Sequence, residues 1–272
     1  MSSIVRDYYN AKVGEEWKRL TLPMCAIEYA STLRLIERYF PPRGHVVDIG
    51  SGPGRYALEL RKRGYAVTLV EPAEKALAFA REQFEGAQLQ AESFIAADAR
   101  DLVALDAGVF DAALLLGPLI HIPERPERAQ ALAELMRVLK PGGVAIVSYL
   151  NSWGLIRTGV TDFPHRYRDP NFLHAMLGEI AFPEPLSGFT ICYWSTPPVA
   201  RQELIKAGFD VMSYAGAEGV VGGMWPLVEK LAATDPIAYS NLLEFAAETC
   251  ELLQFRDGGD HLHFVVRKPS MA

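Results

Sequence analysis

The stretch Val46-Val47-Asp48-Ile49-Gly50-Ser51-Gly52-Pro53-Gly54 constrains the fold of this chain more than any other. A β-branched run reaches an acidic residue, and three glycines then follow at every second position. The pattern is that of a strand running into a tight loop that opens a helix. Glycine lets the backbone take positive φ at little steric cost and come close to a ligand with no Cβ between them. The loop therefore reads as the floor of a nucleoside-cofactor site.

Beyond the loop, short apolar runs alternate with helical periodicities. Strands are expected at 46–49, 66–70, 93–97, 110–116 and 144–150. Helices are expected between them, from about 53 to 63, from Pro72 to about 84, and through Ala129, Leu132, Leu135, Met136 and Leu139. Pro72 suits a first helical position, and Pro141-Gly142-Gly143 turns the third helix into the fifth strand. Strands alternating with helices of this length imply parallel pairing with right-handed crossovers. The unbroken run Ala112–Leu116 suits a strand covered on both faces. After Asn151 the rhythm stops, and 152–196, rich in Pro, Gly and aromatics, reads as an inserted cap over the strand ends. A helix at about 198–207, a strand at 209–214, a long helical segment at about 225–253 and a strand at 261–266 complete the chain. The return through Asp257-Gly258-Gly259-Asp260 makes that last strand antiparallel. Residues 4–40 read as a helical arm broken into two helices at Leu22-Pro23 and ended by Pro41-Pro42-Arg43-Gly44.

The expected fold is thus α/β: a Rossmann-like, seven-stranded, mostly parallel sheet with the last strand antiparallel and helices on both faces. An N-terminal helical arm (1–44) precedes the cofactor-binding core (45–151). The cap and substrate-binding segment (152–196) and the remainder of the core (197–272) follow.

Composition narrows the functional classes. Half of the 272 residues are hydrophobic, enough for a full core, and the net charge of −6 comes with no Lys/Arg-rich run. That argues against a nucleic-acid backbone as the main partner. No apolar run approaches the roughly 20 residues a bilayer crossing needs, and the first residues lack the apolar centre of a signal peptide. Cys25, Cys192 and Cys250 are odd in number and widely spaced, as buried inert thiols in a reducing cytoplasm would be. The expected partner is a small molecule, with no nucleic acid and no membrane, in a protein compatible with a homo-oligomer.

In an open parallel sheet, ligands bind beyond the carboxyl ends of the strands. Asp48, Glu71, Asp98, Gly117 with His121, and Asn151 fall there. Glu71 follows Gly50 at about the 20-residue offset of a carboxylate that takes a ribose hydroxyl pair. A dinucleotide fingerprint would place a third glycine where Arg55 stands; here the third glycine is Gly54. Asp48 beside the loop would sit awkwardly against a pyrophosphate and suits a cofactor with an ammonium group. The balance favours S-adenosylmethionine over NAD.

With these residues the chain resembles the class I S-adenosylmethionine-dependent methyltransferases over about 45–150. Asp48–Gly54 looks like the family's first motif, implying contact of Gly50, Ser51, Gly52 and Gly54 with the methionine part. Glu71, followed by Pro72, sits where the family binds the ribose. Ala97-Asp98-Ala99-Arg100-Asp101-Leu102 is similar to the third motif, implying Asp98 near the adenine amino group. Phe110-Asp111 through Leu116-Gly117-Pro118-Leu119-Ile120-His121 looks like the fourth, and Arg137–Gly143 matches the fifth. Five motifs in order at family spacing are a specific signal. The Asn-Pro-Pro-Tyr-type segment of nucleic-acid amino-methyltransferases is replaced by Leu116-Gly117-Pro118-Leu119. The arm and that segment look like a bacterial branch acting on small molecules. The resemblance implies methyl transfer to O, N or C of a metabolite, with S-adenosylhomocysteine as product.

His121, just past the fourth strand, is the candidate general base, or else a hydrogen bonder at a helix start. Tyr8, Tyr9 and Trp17 can close over a sulfonium by cation–π contact or simply pack the arm. Arg19 can pair with the methionine carboxylate or lie at the surface. His165, Arg166 and Arg168 can hold an acidic substrate group or form a solvated cap face. Tyr149 and Asn151 leave the fifth strand where the acceptor would lie. His261 and His263 alternate in a strand without a third metal ligand in view. An NAD(P)-dependent oxidoreductase, an RNA-modifying methyltransferase and a non-catalytic S-adenosylmethionine-binding module are the alternatives. The first lacks its third glycine and a Tyr-x-x-x-Lys pair, and the second should carry a basic face or an appended RNA-binding domain.

Overall fold

Val46 and Val47, adjacent in sequence, bury their side chains in different cores, as the two-residue period of a strand demands. That alternation runs through a sheet with apolar layers on both faces. A computed structural model describes residues 2–185 and 189–270, so cap residues 186–188 lie outside the described part. The strands are β1 His45–Ile49, β2 Ala66–Val70, β3 Ser93–Ile95, β4 Phe110–Leu115, β5 Leu139–Asn151, β6 Ile180–Phe182, β7 Cys192–Ser195, β8 Asp210–Gly216 and β9 His261–Arg267. The core order is β3-β2-β1-β4-β5-β9-β8. The pairs from β3 to β5 are parallel, and β9 runs antiparallel to both β5 and β8. This is the expected α/β sheet with its antiparallel last strand.

One core packs β4 and β5 against helices Arg125–Val138 and Pro197–Lys206, through Leu132, Leu135 and Leu204. The other packs β1 and β2 against helices Pro23–Tyr39, Arg55–Lys62 and Glu74–Gly86, through Leu35, Ile36, Leu60 and Phe84. Each fully buried Leu or Phe stabilises the fold by roughly 1.5–3 kcal/mol relative to exposure. On the second face, Glu28, Ser31, Thr32 and Leu35 are buried on helix Pro23–Tyr39.

Three departures from the sequence reading have local causes. The arm holds three helices, Ser3–Ala11, Val13–Arg19 and Pro23–Tyr39, because Lys12 breaks the first run before Pro23 breaks the second. The segment expected as one helix from 225 to 253 divides into Trp225–Thr234 and Pro236–Thr249, with Leu253–Arg256 beyond. Asp235 precedes a proline, which steers it out of the helical region; it sits at φ −147°, ψ 83° and caps the next helix by accepting from the Ala238 N–H.

The third departure is the cap. Within it, helix Ser152–Asp162 and helix Pro170–Ala175 lead to an antiparallel β6–β7 pair, and β7 bonds in parallel to the end of β5 at Leu150 and Asn151. The cap thus extends the sheet beyond the end of β4, giving nine strands. Among the described residues no helix is long and apolar enough to cross a membrane.

Candidate functional site

The glycine loop is built as its spacing requires. Gly50, Gly52 and Gly54 have φ of +74°, +52° and +81°. A Cβ on Gly50 would lie 2.6 Å from Pro118 Cδ, and one on Gly54 would lie 2.9 Å from Ala80 Cβ. A Cβ on Gly52 meets nothing within 4 Å. Two glycines therefore serve packing, and the middle one leaves a face of backbone open to a ligand. Gly50 and Ser51 N–H groups donate to the Val70 carbonyl, fixing the loop to the end of β2.

A cavity lies above this loop, lined by Asp48, Gly50, Ser51, Gly52, Glu71, Pro72, Asp98, Ala99, Leu116, Gly117, Tyr9 and Arg19; of the residues expected in the cofactor site, Gly54 alone is not in its lining and packs against Ala80 instead. Asp48 is buried, and its Oδ2 has no hydrogen-bond partner among the described residues. Burial, and then the Glu71 carboxylate, push it up to about 7. Glu71 is also raised to about 7 by burial, although its Oε2 accepts from the Gly52 N–H at 2.8 Å and its Oε1 from the Ala73 N–H at 2.7 Å. These two bonds orient the carboxylate without exhausting its lone pairs. A buried carboxylate oxygen left unpaired is costly unless a cationic donor joins it. Asp98 also reaches the cavity, but both its oxygens receive a forked pair from Arg100, at 2.9 Å each. Arg19 reaches it while paired to Glu28 at 2.7 Å and to Glu16 at 3.4 Å. Sequence reasoning did not find those two carboxylates.

Tyr9 and His121 stand where this cavity meets a second one of about 520 Å³. The Tyr9 hydroxyl donates to His121 Nε2 at 2.7 Å, and His121 Nδ1 donates to the Ile191 carbonyl at 2.8 Å. A carbonyl can only accept, so the proton sits on Nδ1 and Nε2 carries the lone pair. Burial pulls His121 down to about 4, keeping it neutral at physiological pH. Phe189 packs on both rings' neighbours, lying 5.9 Å from the Tyr8 ring and 5.5 Å from the His121 ring.

The second cavity also takes in His165 and Arg166, as expected of substrate-site residues. Five other expectations need correction or relocation. Tyr8 does not line either cavity; its ring packs edge-on to Tyr9 and Phe189, with the Lys12 ammonium over it. Trp17 is held by the Arg55 guanidinium at 4.9 Å and by Phe79, so it braces the loop helix from outside. Tyr149 is fully buried and donates to Glu203 Oε2 at 3.1 Å. β5 is covered on both faces, so leaving the strand near its end does not bring that ring to a ligand. Asn151 is buried, caps helix Ser152–Asp162, and donates to the Asp257 and Gly259 carbonyls. Arg168 ends a 3-10 turn and lines neither cavity.

Around the far side of the second cavity stand residues that the sequence did not bring together. Glu28, Glu218 and His261 converge, their ligating atoms within 4.8 Å of one another. His261 Nδ1 bonds Glu218 Oε1 at 2.6 Å, and Asp260 accepts from Thr158 Oγ1 at 2.5 Å and Trp225 Nε1 at 3.3 Å. The two partners of His261 come from an arm helix (Glu28) and from the turn after β8 (Glu218), which no local spacing announces. His263 instead faces the interior, 3.2 Å from Thr32 Oγ1.

Comparison with known proteins agrees with this geometry. Residues 46–143 match the family described as methyltransferase domain. Over 145 residues the chain is 35% identical to the ubiquinone biosynthesis O-methyltransferase of Aromatoleum aromaticum, covering 52% of this chain and 60% of that one. The corresponding enzyme of Xanthomonas axonopodis is 31% identical over 125 residues, covering 46% and 48%. The chain spans about half the length of the curated relatives it matches. Among solved structures, the 1,6-didemethyltoxoflavin N1-methyltransferase of Burkholderia thailandensis, crystallised with that substrate and S-adenosylhomocysteine, superposes with a TM-score of 0.61. It covers 98% of this chain and 88% of its own at 16% identity, a likeness of fold. Residues 46–143 are thus similar to a methyltransferase domain, and the chain shares the fold of solved S-adenosylmethionine-dependent methyltransferases.

Proposed function

We propose that this chain transfers a methyl group from S-adenosylmethionine to an O, N or C atom of a small molecule held in the second cavity. The observation that carries the reading is Asp48: a buried carboxylate with an unpartnered oxygen, beside an open Gly52, facing a cavity that Glu71 also lines. The site's residues fit the cofactor. Asp48 would take its ammonium, Glu71 its ribose hydroxyls, and the Gly52 face its close approach. A pyrophosphate would meet two carboxylates there, and Arg55 already donates to the Trp17 carbonyl at 2.6 Å. The oxidoreductase alternative is therefore disfavoured.

When bound, S-adenosylmethionine supplies a methyl group on an electrophilic sulfonium. The chain's own residues then position the acceptor and keep water out, and positioning is worth up to roughly 7–11 kcal/mol in ideal cases. Tyr9, fixed by His121, separates the two cavities and orders the acceptor from the donor side. Neutral His121 is the group able to receive a proton through Tyr9 where the acceptor atom carries one: the Tyr9 proton moves to Nε2 as Tyr9 Oη takes the acceptor's. The 1–44 arm and the 152–196 cap would choose the acceptor, while 45–151 holds the donor. The buried thiols of Cys25, Cys192 and Cys250 and the acidic balance support a cytoplasmic enzyme that does not act on nucleic acid.

Calorimetric titration with S-adenosylmethionine, S-adenosylhomocysteine and NAD tests the reading. Tight binding of the first two and none of NAD is expected; preferential NAD binding would sink it.

A further inference from the structure

The charged wall of the second cavity is unbalanced. Glu16, Glu28, Glu218 and Asp260 face it, against two cations, Arg19 and His261. Arg19 pairs with Glu28 and reaches Glu16 at 3.4 Å, and His261 pairs with Glu218. Glu28 stays ionised: burial pushes it up, but the Arg19 guanidinium outweighs that and holds it at about 2. His261 is charged as well, since the Glu28 and Glu218 carboxylates overcome its burial and raise it to about 9. Asp260 is buried and bonded to Thr158 and Trp225, but has no cation of its own among the described residues; burial and Glu218 push it up. On the cap side Asp162 and Arg166 offset one another, with His165 between them in sequence. The wall therefore carries a surplus of one to two negative charges, with Glu28, Glu218 and Asp260 buried.

The same cavity is also aromatic, with Trp225 standing beside Asp260. Phe163, Phe172, Phe182, Phe189, Trp194 and Trp225 contribute rings. A buried charge without a partner is expensive, and burial keeps such groups either neutral or paired. Aromatic faces favour a cation and the flat body that carries it. Both features are met by one kind of occupant.

We infer that the acceptor is a small aromatic-sized molecule bearing a basic amine, whose ammonium lies against Asp260 and the Glu28–Glu218 pair while its apolar body lies among the cap rings. The inference rests on the second cavity being the acceptor site. A divalent metal at Glu28, Glu218 and His261 is the competing occupant. It is disfavoured because Arg19 and His261 already place two cations inside that triad, and the His261 nitrogen facing Glu218 donates rather than ligates. The methyl donor's own positive charge is a second competitor, and it would draw on the same carboxylates from the other side.

Three probes that share an indole body and an ethyl or methyl arm separate these occupants: tryptamine, tryptophol and indole-3-acetate. They are titrated into the full-length protein saturated with S-adenosylhomocysteine at pH 7.5, by calorimetry and thermal shift. Tryptamine should bind at least tenfold more tightly than tryptophol, and indole-3-acetate should give no heat. Asp260→Asn, and separately Glu218→Gln, should erase the preference for tryptamine without moving tryptophol. S-adenosylhomocysteine affinity should stay within about threefold in both variants, which keeps this test apart from that of the cofactor site. Equal binding of the amine and the alcohol, or no binding of any probe, overturns the inference. So does a loss of S-adenosylhomocysteine affinity in the two variants, or tight binding of Mg2+ or Zn2+ alone that excludes tryptamine.

Discussion

The Tyr9 hydroxyl and His121 Nε2 lie 2.7 Å apart, and the other side of the same imidazole is bonded to the Ile191 carbonyl. Tyr9 belongs to the first arm helix, His121 to the turn after β4, and Ile191 to the cap. One short chain of hydrogen bonds therefore ties together three parts of the molecule around the second cavity. The contact is made where the two cavities meet, which on the proposed function is the boundary between donor and acceptor.

Replacing His121 with Ala should lower methyl transfer by about a hundredfold, the low end for lost proton-transfer catalysis. S-adenosylhomocysteine affinity should change by less than about threefold. Transfer from methyl-labelled cofactor to the small-molecule fraction of a cell extract measures the first, and calorimetry the second. Because burial holds His121 at about 4, the rate at saturating cofactor should show no loss from this group until the pH falls toward that value. An unchanged rate in His121→Ala would reject it as proton acceptor.

Asp48 should make cofactor binding depend on pH. Its folded pKa lies at about 7, above the ordinary carboxyl value near 3.9. The unpaired protein thus loses stability as pH rises from about 4 through 7, and the full penalty is present above 7. Cofactor ammonium binding favours the ionised form, so affinity should fall as pH drops from 8 to 6, by up to about tenfold per unit. Asp48→Asn should remove most of that slope, weaken binding at least tenfold and raise the melting temperature of the ligand-free protein at pH 8. A variant that bound normally would place the ammonium elsewhere.

The three loop glycines should respond differently to one methyl group. Gly50→Ala meets Pro118 at 2.6 Å, on top of a left-handed backbone, and should cost several kcal/mol and reduce soluble yield. Gly52→Ala meets no protein atom within 4 Å. It should fold with a penalty of about 1 kcal/mol and still lose cofactor affinity. Thermal denaturation and cofactor titration of the two variants separate packing from ligand approach.

Tyr149 and Arg128 should behave as structural residues. Arg128 is buried, pairs with Glu203 at 2.8 Å, and lies 3.6 Å over the Tyr193 ring. Arg128→Met leaves the buried Glu203 carboxylate with only the Tyr149 hydroxyl and the exposed Arg125 guanidinium at 3.9 Å, and should cost about 3–5 kcal/mol in chemical denaturation. Tyr149→Phe removes one hydrogen bond to the same carboxylate, at about 1–2 kcal/mol. Cofactor affinity should stay the same in Tyr149→Phe; a loss would return that residue to the site.

The glycine loop, the parallel core and the acidic residues at the ends of β1 and β2 were legible because local chemistry dictates them. Positive φ requires glycine, and a strand buried on both faces requires an unbroken apolar run. The cap was not legible as structure. β6 is three residues long, too short for a period to register, and β7 is held by its partner rather than by its own composition. Tyr149 and Asn151 misled for a related reason: position at the end of a strand does not reveal which way a side chain points or what it caps. Glu16, Glu28 and Glu218 passed unnoticed because each looks like an ordinary helix or turn carboxylate. Only the packing of helix Pro23–Tyr39 across β9 sets Glu28 near His261.

β7 joins the sheet through Leu150 and Asn151 alone, past the point where β4 ends. Within the sheet the cap therefore meets the core at the tip of one strand, and the pairing of β1 to β4 does not run through it. Mutation can reshape the second cavity without rewriting the pairing that holds Asp48 and Glu71. On the function proposed above, such a joint would let the scaffold change its acceptor while the donor stays constant.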